Sequence, residues 1–447
     1  MEVSQQGVRN LAEGKIFRQL IELAIPLMAT GFIQMAYTLI DMAWIGRLGS
    51  REVAAIGAVG ILTWLTSTLA LLPKLAAEIS IAQSIGSKRL DEARVYASHS
   101  VTIAFVLGLV VAVIMIAGAV PVVSFFKLEA DIAAMGVSYL RIVALALPMY
   151  YLSYTFAGVY NGAGRTTIPF YIMSTGLVCN IILDPLFIFG IGPLEGLKTD
   201  GAAIATLLSH TIVCFLFIWK MKRPNGILNR FPYFVKLKKS YTVYIFKLGT
   251  PIALMNCAFA IINSVVARIA SIHGGHLGVM SQTTGSQIEG ITWNSSSGFA
   301  TALGTFVAQN YAAGRVDRTR KAYRYTLITL LSLGVVVSLA FIFLGEEIFG
   351  LIVPEQEAKM AGGEYLFIMA FCQLFMMLET TTLGMWNGYG RTSPPAIISI
   401  SLNLARIPLA LWLAPMMGIK GVWWAITISS VAKGIISAVW WKLAKIK

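Results

Sequence analysis

Twelve runs, each long enough at about 20 residues or more to cross a bilayer as a helix, follow one another along the chain with short polar connections between them. They lie at 17–45, 53–85, 95–120, 134–160, 168–192, 200–221, 243–272, 279–311, 323–350, 362–387, 394–416 and 419–441. Lipid offers no hydrogen-bond partner to an exposed backbone, so runs of this kind are restricted to helices. The expectation is an all-α, multi-pass membrane protein with 12 transmembrane helices. Composition agrees: 57% of the 447 residues are apolar and 13% are charged, against about 25% charged in soluble domains. An ordinary soluble enzyme and a disordered chain are both excluded.

Lys and Arg outnumber Asp and Glu by 35 to 21, and the placement of the bases matters more than their sum. With a cytoplasmic N-terminus, 24 bases fall in the N-terminal segment, the alternate loops and the C-terminal tail. Seven lie on the other side (Arg47, Arg51, Lys127, Arg141, Lys198, Lys359, Lys420) and four lie within helices. That asymmetry reports orientation in the cell's inner or plasma membrane, with both termini cytoplasmic, and not affinity for nucleic acid. The four cysteines sit inside apolar runs without paired spacing and read as packing residues. The first 15 residues are polar, and the first apolar run is too long for a signal peptide, so the N-terminus is expected to be retained.

The densest basic cluster, Lys220, Lys222, Arg223, Arg230, Lys236, Lys238 and Lys239, surrounds Pro224, Asn225, Gly226 and Pro232 and marks a linker. The expected organisation is a tail over 1–14, a first six-helix bundle over 15–221, a basic cytoplasmic linker over 222–241 and a second bundle over 242–447. A shift of 226 residues superimposes the two halves. It carries Ala82-Gln83 onto Ala308-Gln309, Arg89 onto Arg315, Asp91 onto Asp317 and Arg94 onto Arg320. It also carries Asn161-Gly162 onto Asn387-Gly388, Gly164-Arg165-Thr166 onto Gly390-Arg391-Thr392, and Pro169 onto Pro395. Six helices per half make the repeats parallel, related by a pseudo-two-fold axis along the membrane normal, with substrate expected between them.

Four stretches carry a specific resemblance. They are Pro26 to Gly46, with Tyr37, Asp41 and Trp44 near its end; Ala82-Gln83; Asn161 to Thr166; and Asn180 to Pro185. Together they resemble the multidrug and toxic compound extrusion family across the whole chain. The resemblance implies two lobes around a V-shaped cavity and cation-coupled export of organic, often cationic or amphipathic compounds. It further implies that Asp41, Asn180, Asp184 and Thr206 match positions where family members bind Na⁺ or H⁺.

The residues support part of this independently. An ionisable group at the bilayer centre costs about 2.5–3.5 kcal/mol even on the lenient insertion scale, so each needs a partner, water or a function. The acids within the runs are Asp41, Glu78, Asp184, Glu289 and Glu379; the bases are Lys74, Arg268, Arg406 and Lys433. Thr30, Gln34, Tyr37 and Asp41 recur at helical spacing on one face of the first helix, and Asn180 and Asp184 share a face of the fifth. Asp41, Asp184 and Thr206 lie about four, eight and six residues in from the outer ends, or roughly 6–12 Å deep. Two carboxylates, an amide oxygen and a hydroxyl at one depth are hard ligands for an alkali cation, and burial beside a like charge also favours a bound proton. The alternative is that Asn180 and Asp184 only hydrogen-bond to neighbouring helices.

The second half reads less clearly. Gln282, Ser286, Glu289, Trp293 and Ser296 line one face of the eighth helix, with Asn294 and Ser295 beside them, and that face is expected to meet water. The expected cavity wall comprises Gln34, Tyr37, Trp64, Gln287, Glu289, Trp293, Asn294 and Glu379. Glu379, Arg406 and Lys433 also fit a buried charge cluster, and Lys74 with Glu78 an internal salt bridge. His273 and His276 lack a third ligand, so no transition-metal site is expected; His210 lies near the coupling residues. Pro26 is the expected hinge of the first helix.

The resulting expectation is a secondary antiporter and not an enzyme, without a cofactor, that carries Na⁺ or H⁺. Its partners would be small organic substrates and membrane lipid, with no nucleic acid and no obligate protein partner, so a monomer. A flippase for lipid-linked saccharides is the alternative within the same superfamily. It would need several Arg or Lys in the cavity for pyrophosphate, and Lys74, Arg268 and Arg406 keep it open. A membrane-embedded enzyme would need a clustered acidic or metal-binding motif, which the scattered acids do not make.

Overall fold

The structure, a computed structural model, describes residues 7–191, 194–223 and 226–444. Residues 1–6 of the expected tail, 192 of the fifth run, 224–225 of the expected linker and 445–447 of the expected second bundle lie outside the described residues. Among those described, 11 helical stretches are long and apolar enough to cross a membrane. The difference from the 12 expected has one cause. The seventh and eighth runs form a single 74-residue helical element, Lys239–Ala312, which leaves helical geometry only at Gly275 (φ 55°, ψ −153°). A straight helix of that length would measure about 110 Å, over three bilayer cores. Glycine enters that backbone region without the Cβ clash other residues suffer, so the element breaks there into two arms.

The chain divides into two compact units, Met1–Glu13 with Ala29–Ala253, and Gly14–Met28 with Leu254–Lys447. The edges differ from the expected lobes because two helices each serve both units. These are α1 (Ile16–Gly46) and the long element, here α8, with Pro26 and Pro251 inside them. Each division falls two residues beyond its proline.

The first unit contains α2 (Ser50–Leu69), α3 (Leu71–Gly86), α4 (Leu90–Ser124), α5 (Ala130–Gly162), α6 (Thr167–Phe189) and α7 (Lys198–Lys222). A two-residue antiparallel ladder, Gly190–Ile191 with Leu194–Glu195, joins α6 to α7. Its core holds Ile81, Val101, Phe156, Tyr160 and Phe217. Large apolar side chains such as Val113, Ile114 and Phe215 face outward, as lipid contact requires. Gly158 and Gly162 of α5 lie against the backbone of Lys74 and Glu78 on α3, where a Cβ would come within 2.4 and 2.6 Å of the carbonyl oxygens.

Residues 226–238 are not a loose connection. Ile227, Leu228 and Phe231 are buried in the same core as Tyr160 and Phe217. Arg94 Nε donates to the Leu228 carbonyl at 2.7 Å, the Val235 amide donates to Thr102 at 3.1 Å, and the Lys238 amide donates to His99 Nε2 at 3.0 Å. The expected linker is therefore a strap of the first unit.

The second unit contains α9 (Val316–Gly350), α10 (Gln356–Gly388), α11 (Ser393–Leu404), α12 (Arg406–Met417) and α13 (Ile419–Leu443), beside the C-terminal part of α8. Phe341, Phe349, Tyr365, Met369 and Trp423 form its core. The repeat read from sequence is structural. Gly384 and Gly388 of α10 approach Ala300 and Gly304 of α8, 226 residues beyond the corresponding pairs of the first unit. Helices α5 and α10 end in the same turn. Gly164 (φ 73°) and Gly390 (φ 72°) take the left-handed conformation, and the amides of Arg165 and Arg391 return to the carbonyls of Tyr160 and Trp386 at 2.9 and 3.0 Å. The repeated Gly-Arg-Thr is a helix stop.

Candidate functional site

Within the first unit, α1 brings Tyr37 and Asp41 toward Asn180 and Asp184 on α6. Both α6 residues are fully buried, and Asn180 Nδ2 donates to Asp184 Oδ1 at 3.1 Å. The Asp41 carboxyl neighbours that of Asp184, and Asn180 interacts with both. Tyr37 lies beside the two acids and Ser209 of α7, and Tyr139 of α5 also feels both acids.

Five oxygens here are buried without a hydrogen-bond partner: Tyr37 Oη, Asp41 Oδ1, Asn180 Oδ1, Asp184 Oδ2 and Ser209 Oγ. Buried polar atoms are normally paired, and the Asp41, Asn180 and Asp184 oxygens among these five can only accept unless a carboxyl holds a proton, so they are set up for a positive species, whereas the Tyr37 and Ser209 hydroxyls can also donate. No base among the described residues is among the groups acting on either acid.

Asp41, Asn180 and Asp184 of the expected coupling set lie together, and Tyr37, expected in the cavity wall, lies beside them. Thr206 donates its hydroxyl proton to the Ala202 carbonyl one turn back, at 3.0 Å, leaving only oxygen lone pairs to offer. His210 stacks on Tyr37 at 5.8 Å and meets the edge of Tyr150 at 5.0 Å, so it packs between rings. Sequence reasoning passed over Ser209 and Tyr139. Ser209 follows Thr206 by three residues and shares its helical face, a signal that was present.

Of the other candidates in this unit, Gln34 and Trp64 are exposed. Lys74 Nζ lies 3.8 Å from Glu78 Oε2, and the Asn161 amide donates to the same oxygen at 3.5 Å. The pair is an internal salt bridge beneath Gly158 and Gly162.

In the second unit the half-buried Glu289 accepts from Tyr365 Oη at 2.6 Å and Gln373 Nε2 at 3.2 Å, so its carboxylate is held by α10. Gln287 and Trp293 are exposed, while Asn294 donates to the Gly290 carbonyl of its own helix at 2.8 Å. Glu379 Oε2 and Lys433 Nζ form an ion pair of 3.1 Å, with both side chains largely buried. Arg406 lies among neutral acceptors, donating to Ser429 at 2.7 Å, Ser430 at 3.0 Å and Asn263 at 3.4 Å. Arg268 is exposed, and no group of three metal-ligating side chains occurs among the described residues.

Comparison with known proteins follows this geometry. The MatE family model matches residues 26–186 and 251–412, one copy per repeat. The chain is 25% identical over 92% of its length, and 88% of the relative's, to a probable multidrug resistance protein NorM of Thermotoga maritima. It is 24% identical to an FAD transporter of Shewanella oneidensis, covering 95% and 94% of the two chains. A crystal structure of MATE in the bent conformation superimposes with a TM-score of 0.91 at 21% identity, covering 97% of this chain and 96% of that one. The chain belongs to the MatE family, and so is a multi-pass membrane transporter and not an enzyme.

Proposed function

We propose that this protein exports small organic compounds by cation-coupled antiport, with Asp41 and Asp184 as the coupling carboxylates and Na⁺ or H⁺ as the driving ion. The observation carrying this reading is the set of unpartnered oxygens on Asp41, Asn180 and Asp184, with no base among the described residues acting on either acid. Uncompensated negative charge in a membrane interior is costly, so the cluster favours a small cation or a proton. Asn180 supplies an amide oxygen, and Thr206 lies on the neighbouring helix at similar depth. Occupancy cancels the charge that α1 carries at Asp41, and α1 then bends at Pro26, which lacks the amide of a regular turn. In this reading both termini are cytoplasmic.

Several relatives are named for multidrug resistance or export, which supports an organic and amphipathic cargo class. The test is efflux of a fluorescent cationic dye from proteoliposomes under separately imposed Na⁺ and pH gradients, with FAD as a second cargo because one relative is named for it. One gradient should drive efflux. Asp41→Asn and Asp184→Asn should each reduce it to the level of empty liposomes while inserting normally. Wild-type efflux by Asp41→Asn would overturn the assignment.

A further inference from the structure

At the base-rich end of the first unit, a cavity of about 480 Å³ opens where α5 ends, α6 begins and α7 gives way to the strap. Arg165, Lys220 and Arg223 line it, with Tyr160, Ile168 and Ile227 as its apolar wall, and among the described residues the lining contains no carboxylate. Arg165 is fixed by donating Nε to the Gly7 carbonyl at 3.0 Å, which leaves its two terminal nitrogens without a partner among the described residues. Arg223 is held over the Trp219 ring, its guanidinium 3.7 Å from the centroid. No ion pair to Lys220 occurs among the described residues. Two of the three cations are thus oriented by neutral groups, and no carboxylate pairs with them among the described residues.

Two further features point to the ligand. The volume is within the range of about 300–1,000 Å³ usual for small-molecule sites. Tyr171, Phe215 and Trp219 on the adjoining faces of α6 and α7 are exposed, forming an aromatic fringe like those found at a membrane–water boundary.

We propose that this cavity binds a phosphate-ester anion, at a site separate from the coupling acids. Two guanidinium groups and an ammonium line it, from the end of α7 and from the turn before α6, a donor set suited to a tetrahedral oxyanion and unlike a surface field of solvated lysines. The same chemistry is available from an anionic phospholipid headgroup or from a soluble phosphate ester.

The experiment uses the full-length protein in detergent and follows its thermal unfolding. The ligands titrated are phosphatidylglycerol, phosphatidylcholine, sn-glycerol 3-phosphate and inorganic phosphate. Phosphatidylglycerol should raise the midpoint saturably and phosphatidylcholine should not. Lys220→Gln/Arg223→Gln should weaken the effect at least tenfold, whereas Lys222→Gln/Lys236→Gln, which removes equal charge outside the lining, should preserve it. A response to glycerol 3-phosphate or inorganic phosphate that the cavity variant abolishes also supports the site, with a soluble source. If gel filtration shows the double variant misfolded, Lys220→Gln alone carries the comparison. Equal responses to the two phospholipids without a soluble-phosphate response, or equal losses in the two double variants, would overturn the proposal.

Discussion

Lys88 adopts a backbone conformation (φ 61°) that a side chain enters at a cost of about 1–2 kcal/mol. It terminates α3: its amide donates to Ile85 and that of Arg89 to Ser84, at 3.0 and 2.8 Å. The equivalent position 226 residues on is Gly314 (φ 74°), with matching bonds from Gly314 and Arg315 of 2.9 and 2.8 Å. One repeat thus has the favoured residue at its helix stop and the other does not. The Lys88 side chain is exposed and has no ion pair among the described residues, so Lys88→Gly should stabilise the protein by about 0.5–1 kcal/mol after the added freedom of the unfolded chain. A thermal midpoint at or below wild type would contradict that account. Legibility at this scale followed cost. Asp41, Asn180 and Asp184 could be read from sequence because a charge in lipid is expensive and i,i+4 spacing places groups on one face. Ser209 and Tyr139 were passed over because hydroxyls are common in membrane helices and carry no such penalty. The partners of Glu289, namely Tyr365 and Gln373, lie 76 and 84 residues away and required the packing.

Helix α5 shows what a pair of small residues achieves between two elements. With Gly158 and Gly162 four apart, α3 comes close enough for its carbonyl oxygens to sit where side chains would otherwise be. In the first unit those carbonyls belong to the ion-paired Lys74 and Glu78, whereas the second unit has Ala300 and Gly304 at the equivalent contacts. The shared geometry is therefore one of backbone approach, and it does not depend on the ion pair, which the second copy lacks. Gly158→Ala should force α5 away from α3 and cost about 1–3 kcal/mol. Gly57→Ala in α2, where a Cβ would meet nothing within 4 Å, should instead stabilise by about 1 kcal/mol through helix propensity alone. Chemical denaturation of the two variants should move in opposite directions; a shift of the same sign would show that helix propensity, not contact, governs position 158. The 226-residue repeat was legible because helix stops require particular residues. The burial of the strap was not, although Ile227, Leu228 and Phe231 stood among its bases as a signal that the Pro and Gly content outweighed.

For the whole molecule, the two sequence repeats and the two compact units do not share their edges, which affects how the chain can be cut. Ile245, Leu248 and Ala253 belong to the first unit, in one cluster with Leu72, Ala76, Ile79 and Ile103. Gly249 brings the same arm of α8 so near α3 that a Cβ would lie 2.4 Å from the Leu72 carbonyl. A cut at the polar stretch that hydropathy marks as a boundary leaves this cluster open, whereas a cut inside the apolar helix, after Ala253, closes it. Residues 1–253 should therefore give a more monodisperse and more thermostable fragment than residues 1–238, even though the longer piece exposes an additional severed helix. The expected gain is a few degrees, since burial of the two large aliphatic side chains contributes about 1.5–3 kcal/mol each in water and less in lipid. Fluorescence-detected size exclusion after graded heating would measure it. Equal stability of the fragments would mean that the first six helices hold their shape without the arm of α8, and that the contacts of Ile245 and Leu248 follow the fold of that unit without supporting it.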